Sequence, residues 1–306
     1  MYLTSIKSAG LKLGLDVRMI DGHLHVSKLH PRPSSLTPQL SDISPQTSDI
    51  NPHPSSPRPL WAQRLSSKSS FCRAVVQSGL LTQRQMVHAA LRYRLGRSKD
   101  DAVIYWLIDQ KGITHDGKLM WYGSDCHRLK NRNATWVMYL LKKHYGVPQD
   151  AFQPTHCFFG LHLLATYAAV RNTKSKQNQF SIINCQLSIS QTIVCIVEAE
   201  KSAVILSELY PQYIWLAAGG MHELQINKFL PLKHYRVILF PDTDPDQRAY
   251  NTWYAAAQEV MNSFFWPRGN PIRVSPILEL HATEDQKRRK IDLVDYLFEN
   301  SHNSTF

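Results

Sequence analysis

The chain has 306 residues, 43% of them hydrophobic, with a formal charge of +11 and a pI near 9.4. That length holds about two domains with a core in each, and the excess of base favours a polyanionic partner such as nucleic acid. No run is long and apolar enough to span a bilayer, no signal-peptide core opens the chain, and the five scattered cysteines form no CxxC pair. A membrane partner, a disulfide scaffold and a zinc ribbon are therefore not expected, and the expected compartment is the cytoplasm.

Residues 1–28 pair a short amphipathic run (Leu3, Ile6, Leu11, Leu13) with a hairpin signal, in which Asp21-Gly22 separates two apolar stretches. Residues 29–68 are rich in Pro and Ser and poor in large apolar side chains, so they read as a linker that cannot offset its ordering entropy. Globular character begins at Ser69. Thr82 is placed to cap a helix running to about Tyr93, with Met86, Ala89 and Ala90 on one face. An apolar strand at Val103–Ile108, a turn around Asp109–Gly117 and a second strand over Leu119–Tyr122 complete a small α+β unit within residues 69–155. Lys118 and the following Arg128, Lys130 and Arg132, with Trp136 nearby, offer charge for phosphates and a ring for bases; for Trp136 a core position is favoured.

Residues 156–306 read differently. After a polar stretch at 172–190, three β-branched apolar runs (Ile193–Val197, Tyr213–Ala217, Arg236–Phe240) alternate with helical periods, and a short fourth run follows at Ile272–Val274. This pattern predicts an α/β domain with a parallel sheet covered on both faces. In such sheets the ligand crevice lies beyond the carboxyl ends of the strands. Those ends carry Glu198, Gly219-Gly220, and Asp242 with Asp244. Carboxylates converging at one edge suit a hard cation such as Mg²⁺. Asp246 reads as the cap of a helix over 247–262, and Asp292 as a surface carboxylate that could alternatively join the acidic site.

Glu-ended strand, glycine turn and Asp-x-Asp, in that order, resemble the Toprim domain of DnaG-type primases, topoisomerases and several nucleases. Val197-Glu198-Ala199-Glu200-Lys201 is similar to the strand end of primase-like Toprims, Asp242-Thr243-Asp244 to their Asp-x-Asp, and Cys157–Leu164 to the helix start that precedes them. The wording is most similar to Toprim primase-like proteins of Bacteroidetes mobile elements. The resemblance spans roughly residues 80–300. It implies a nucleotidyltransferase acting on single-stranded DNA and nucleoside triphosphates with Mg²⁺ or Mn²⁺. Glu198, Asp242 and Asp244 are then the catalytic and metal residues, Glu198 as a metal ligand or as the general base for the attacking hydroxyl. Gly219 and Gly220 either let backbone approach a phosphate or simply free the turn, and Lys201 either meets a triphosphate or neutralises Glu198. Two departures stand out: Ala199 replaces a usual glycine, and Asp-Thr-Asp-Pro replaces Asp-Gly-Asp. No Gly-x-x-x-x-Gly-Lys motor motif occurs, so unwinding is expected from a separate helicase. A non-catalytic Toprim-like nucleic-acid-binding module and a Toprim nuclease are the nearest alternatives. A haloacid-dehalogenase-type phosphatase fits poorly, because its Asp-x-Asp normally opens the domain.

Overall fold

Three apolar runs become the central strands of a parallel sheet because only a strand covered on both faces keeps such runs out of water. The computed structural model describes residues 15–20, 23–28, 64–165, 167 and 192–303. Within them the architecture is α/β. The expected amphipathic run before residue 15, most of the linker and the polar stretch at 172–190 lie outside the described residues.

The hairpin signal at Asp21-Gly22 is flanked by two antiparallel strands, β1 (Leu15–Ile20) and β2 (His23–Lys28), with Ile20 opposite His23. Two helices follow, α1 (Ser70–Gln77) and α2 (Gln83–Arg92). Thr82 opens α2 with a capping box, its hydroxyl accepting from the Gln85 N–H while the Gln85 side chain accepts from the Thr82 N–H. An antiparallel sheet then forms in the order β3 (Gly96–Arg97), β4 (Val103–Ile108), β5 (Thr114–Met120), β6 (Thr135–Trp136). All six residues of β4 are buried. Alternation sends Val103, Tyr105 and Leu107 into the main core, and Ile104, Trp106 and Ile108 into a smaller cluster on the other face.

The turn after β4 closes earlier than its sequence suggests. Asp109 Oδ1 accepts from the Lys111 and Ile113 N–H groups, so β5 starts at Thr114, and Gly117 lies inside the strand opposite Trp106. A Cβ at Gly117 would stand 2.6 Å from the indole of Trp106, and one at Gly96 on the other side 2.7 Å from it. The two glycines make room for one large ring. Helix α3 (Val137–His144) follows β6 directly, and Trp136 is half-buried and stacked on His156 at 4.2 Å.

The second sheet holds β7 (Ile193–Val197), β8 (Ile214–Ala217), β9 (Arg236–Phe240) and β10 (Arg273–Val274), all parallel, in the order β10-β9-β7-β8. Helix α4 (Glu200–Leu209) joins β7 to β8. A 3₁₀ segment (Ile226–Leu232) carries the chain from β8 to the other side of β7. The direction of winding thus reverses at β7, and the crevice at the carboxyl end of such a switch is where α/β sheets hold ligands. Helix α5 (Arg248–Met261) precedes β10, and α6 (Ile277–His281), α7 (Glu284–Arg289) and α8 (Leu293–Asn303) complete the chain's described part.

One core joins the two sheets. Tyr93 at the end of α2 is fully buried, stacks on Phe159 at 5.1 Å and donates to the Trp215 carbonyl at 2.7 Å. Phe159 pairs with Ala217 through both backbone hydrogen bonds and so lies along the outer edge of β8. Gly160, at φ +85°, turns the chain where a Cβ would meet the Tyr93 ring at 3.0 Å and the Trp215 carbonyl at 3.2 Å.

Candidate active site

Glu198 follows β7 at the switch point, half-buried. Its backbone carbonyl accepts from the Gly219 N–H at 2.9 Å, so the turn after β8 is bound back onto the end of β7. Gly219 has φ +95°, a left-handed conformation that glycine adopts without strain. Gly220 has ordinary space around it. The carboxyl group of Glu198 is raised above the usual range by burial and by Asp292, against the lowering pull of the Met221 N–H, Lys118 and His222.

Asp242 lies two residues beyond β9, beside β7 in the sheet. Burial holds its carboxyl well above the usual range, and the charges of Glu198 and Asp292 add to that. The adjoining Thr243 N–H donates to the Ile291 carbonyl at 3.2 Å, which brings the start of α8 alongside. Asp292 is therefore not a surface carboxylate; it is 5% exposed and belongs to this cluster. It accepts from the Ser202 hydroxyl at 2.7 Å and pairs with Lys201 at 3.1 Å, and Asp295 lies 3.6 Å from the same ammonium. Burial opposes the ionised form of Asp292, but Lys201, the Asp295 N–H and Ser202 outweigh it and hold the group below its ordinary value. Asp295 is pushed up by burial and by Asp292. Lys201 is raised despite burial, because Asp292 and Asp295 flank it.

Asp244 goes elsewhere. Its two oxygens accept from the N–H groups of Asp246 at 3.0 Å and Ala249 at 2.9 Å, at the start of α5. These backbone donors outweigh burial and lower its carboxyl. Asp244, not Asp246, therefore satisfies the first turn of α5; Asp246 pairs with Arg248 at 2.7 Å on the surface. An alternating Asp-x-Asp sends its two side chains apart unless the turn bends them together, and here it does not.

Lys118 and Lys201 are also committed. Lys118 reaches from β5 to the 2%-exposed Glu200 at 3.0 Å and to the Gly219 carbonyl at 2.9 Å, so it joins the two sheets rather than facing solvent. Lys201 neutralises Asp292 and Asp295, not a free phosphate. Arg128 and Lys130 are exposed, on the loop between β5 and β6. Arg132 on the same loop is exposed, pairs with Asp100 at 3.2 Å and lies over the Trp121 ring at 5.1 Å. The underside of this loop meets the acidic cluster. Cys126, pushed up to about 12 by burial, feels Lys201, Asp292 and Asp295, and Asp295 in turn is drawn slightly down by His127.

The arrangement is an acidic crevice with a basic lip. Asp242, Asp292 and Asp295 share one nearby ammonium, that of Lys201, while Glu198 feels Lys118, which is itself paired with Glu200. Among the described residues no three acidic, His or Cys side chains are arranged to hold a metal ion by themselves. The donor set still fits a hard cation: it is all oxygen, and the mutual crowding of Glu198 and Asp242 is what a positive charge relieves. Mg²⁺ commonly takes one or two carboxylates and completes its shell with water and phosphate. Asp292 and Asp295 are the members of the cluster that the sequence leaves least conspicuous. Their signal is the Asp-x-x-Asp spacing at the start of α8, where the Asp295 N–H donates to Asp292 at 2.9 Å.

The profile of a family described as "Domain of unknown function (DUF6371)" matches residues 69–178 and 169–243. No curated protein matches the sequence. Among solved structures, the primase fragment of the bacteriophage T7 primase-helicase protein aligns at 14% identity, over 66% of this chain and 70% of its own, with a TM-score of 0.37. The DnaG catalytic core aligns at 12% identity, over 80% of this chain and 82% of its own, with a TM-score of 0.42.

Proposed function

This chain belongs to the DUF6371 family, whose profile spans more than half of it, and on that premise we propose that it is a metal-dependent nucleotidyltransferase of primase type. It extends a nucleotide chain on single-stranded DNA, in the replication of a mobile element or plasmid, beside a separate helicase. The observation that carries this reading is the excess of carboxylates at the switch point, Glu198 and Asp242 foremost, bordered by the exposed bases of the 121–134 loop. The ordered resemblance of Val197–Lys201, the Gly219 turn and Asp242 to Toprim primases points the same way.

Glu198 and Asp242 are the residues that would hold Mg²⁺ or Mn²⁺, and the ion supplies positive charge to phosphoryl oxygens as they become more negative. The chain's own groups do the rest. Lys201 favours the ionised form of Asp292 and holds both Asp292 and Asp295 in place, so the crevice wall does not collapse onto its neighbours. The Gly219 turn, held by Lys118, presents backbone without a side chain at the crevice edge. Arg128 and Lys130 meet template phosphates. In the reaction a primer 3′-hydroxyl gives up its proton to water and attacks the α-phosphate of a nucleoside triphosphate; the new P–O bond forms as the bond from the α-phosphorus to its bridging oxygen breaks, and pyrophosphate leaves with that oxygen.

Asp244 is engaged by α5, which leaves fewer donors than a Toprim normally brings and favours a second reading: binding of nucleic acid and metal without turnover. One assay separates the two. Labelled nucleotide incorporation on single-stranded DNA with Mg²⁺ or Mn²⁺ is expected for the wild type and lost in Asp242→Asn. A template that is shortened instead identifies a nuclease, and an intact template with bound protein but no product identifies the non-catalytic module.

A further inference from the structure

At the opposite end of the parallel sheet from the acidic crevice lies a cavity of about 430 Å³ lined by Lys233, His234, Arg236 and Arg273, with no acidic residue in its wall. Arg236 and Arg273 start β9 and β10, two neighbouring parallel strands, and Arg273 stands opposite Ile238, two residues along β9 from Arg236, so the two arginines leave the same face near the sheet's amino end. The cavity reaches along β9 as far as Ile238, so Asp242 lies four residues beyond it, at most about 13 Å at a strand's rise per residue. His234, Arg236 and Arg273 are exposed. Among the described residues none of Lys233, Arg236 and Arg273 forms an ion pair.

The cavity is built rather than incidental. Asn270 donates to the carbonyls of Lys233 at 3.2 Å and Tyr235 at 2.9 Å, fastening the 267–271 loop to the segment that enters β9. The buried Trp266 in turn donates to the Asn270 carbonyl at 2.7 Å. Gly269, at φ +88° with open space around it, turns the loop so that its wall is backbone and proline rather than bulky side chain. Three cations of one sign on a fixed frame repel one another unless an anion lies between them. No Phe, Tyr or Trp lines the cavity, so it offers charge for phosphates without a ring platform for bases.

We propose that this cavity is a second nucleic-acid contact, holding the phosphate backbone of a single strand at the amino end of the sheet, away from the acidic crevice. It rests on the nucleotidyl-transfer reading only in taking nucleic acid as the polyanion. Its chemistry is sequence-independent: Lys233, Arg236 and Arg273 displace counterions from successive phosphates and read no base edge.

The test is anisotropy of a fluorescein-labelled oligothymidylate with the full chain in chelator, so that no turnover is needed. Incorporation can then fail while this binding persists, or succeed while it is lost. The variants are Lys233→Gln/Arg236→Gln/Arg273→Gln and a control that removes the same charge from exposed Arg84, Lys99 and Lys111. Three phosphate contacts on a single strand contribute a slope of about 2 to the fall of log K with log salt. Between roughly 50 and 200 mM salt the wild type should therefore lose about 16-fold more affinity than the cavity variant, and the control should behave as wild type. Equal losses in cavity variant and control, an unchanged cavity variant, or a wild type that does not bind the strand would each overturn the proposal.

Discussion

At Asp242 the carboxyl group is crowded by burial and by Glu198 and Asp292, so an amide in its place removes repulsion while removing a metal donor. A pKa raised in the folded state contributes stability at low pH that is lost as pH rises through it. Without metal, Asp242→Asn should therefore melt higher than wild type near neutral pH, by roughly 2–4 °C for each kcal/mol of repulsion relieved, while abolishing incorporation. Added Mg²⁺ should raise the wild-type midpoint and leave that of the variant in place. Asp244→Ala should do the reverse, costing about 1 kcal/mol by unfastening α5. His162 supplies the pH counterpart. It is 3% exposed, its Nε2 lies 3.1 Å from the Arg92 carbonyl, and its Nδ1 has no partner among the described residues. Burial lowers it from 6.5 to about 4. The unfolded chain then binds the proton more readily, so stability is full above pH 6.5 and falls toward pH 4. The loss is about 3 kcal/mol, read as a shift in the urea midpoint that His162→Leu should flatten.

Among the elements, one lysine ties the two sheets together, and one glycine pair makes room for Trp106 inside the antiparallel sheet. Lys118→Met would leave Glu200 buried without its cation, at a cost of about 3 kcal/mol in chemical denaturation, and Lys118→Met/Glu200→Gln should recover much of it. Gly117→Ala would drive a methyl into the Trp106 ring, where a Cβ already falls at 2.6 Å, and should cost about 2 kcal/mol. Neither was legible beforehand. Val103–Ile108, Ile193–Val197 and Arg236–Phe240 could be read to the residue because each is an apolar run, broken only by the Arg236 that opens the last. Thr114-His115-Asp116-Gly117 reads as turn because polar residues and glycine usually mark one, yet the glycine is demanded by an indole on the next strand. The start of α5 misled for a related reason: Asp246 stands where a local cap would, and the longer reach of Asp244 depends on a backbone path that no spacing encodes.

For the molecule as a whole, the α/β class and the carboxylate edge followed from alternation of period, because strand ends of a parallel sheet gather at one side whatever the loops do. The membership of Asp292 and Asp295 did not follow, since it depends on where α8 settles against α4, a tertiary event ninety residues from Ser202. The same dependence on distant partners governs the sheet's outer margins. On one side the sheet ends in the two-residue β10; on the other, the backbone of Phe159 occupies the hydrogen-bonding groups of Ala217. Unpaired strand margins recruit other chains, so short or covered ones guard against aggregation. A fragment beginning at residue 192 would keep every strand of the parallel sheet and still bare β8. Light scattering on refolding should show it self-associating at concentrations where the full chain stays dispersed. The segment before the polar stretch at 172–190 thus serves as a solubility guard for the sheet that follows it.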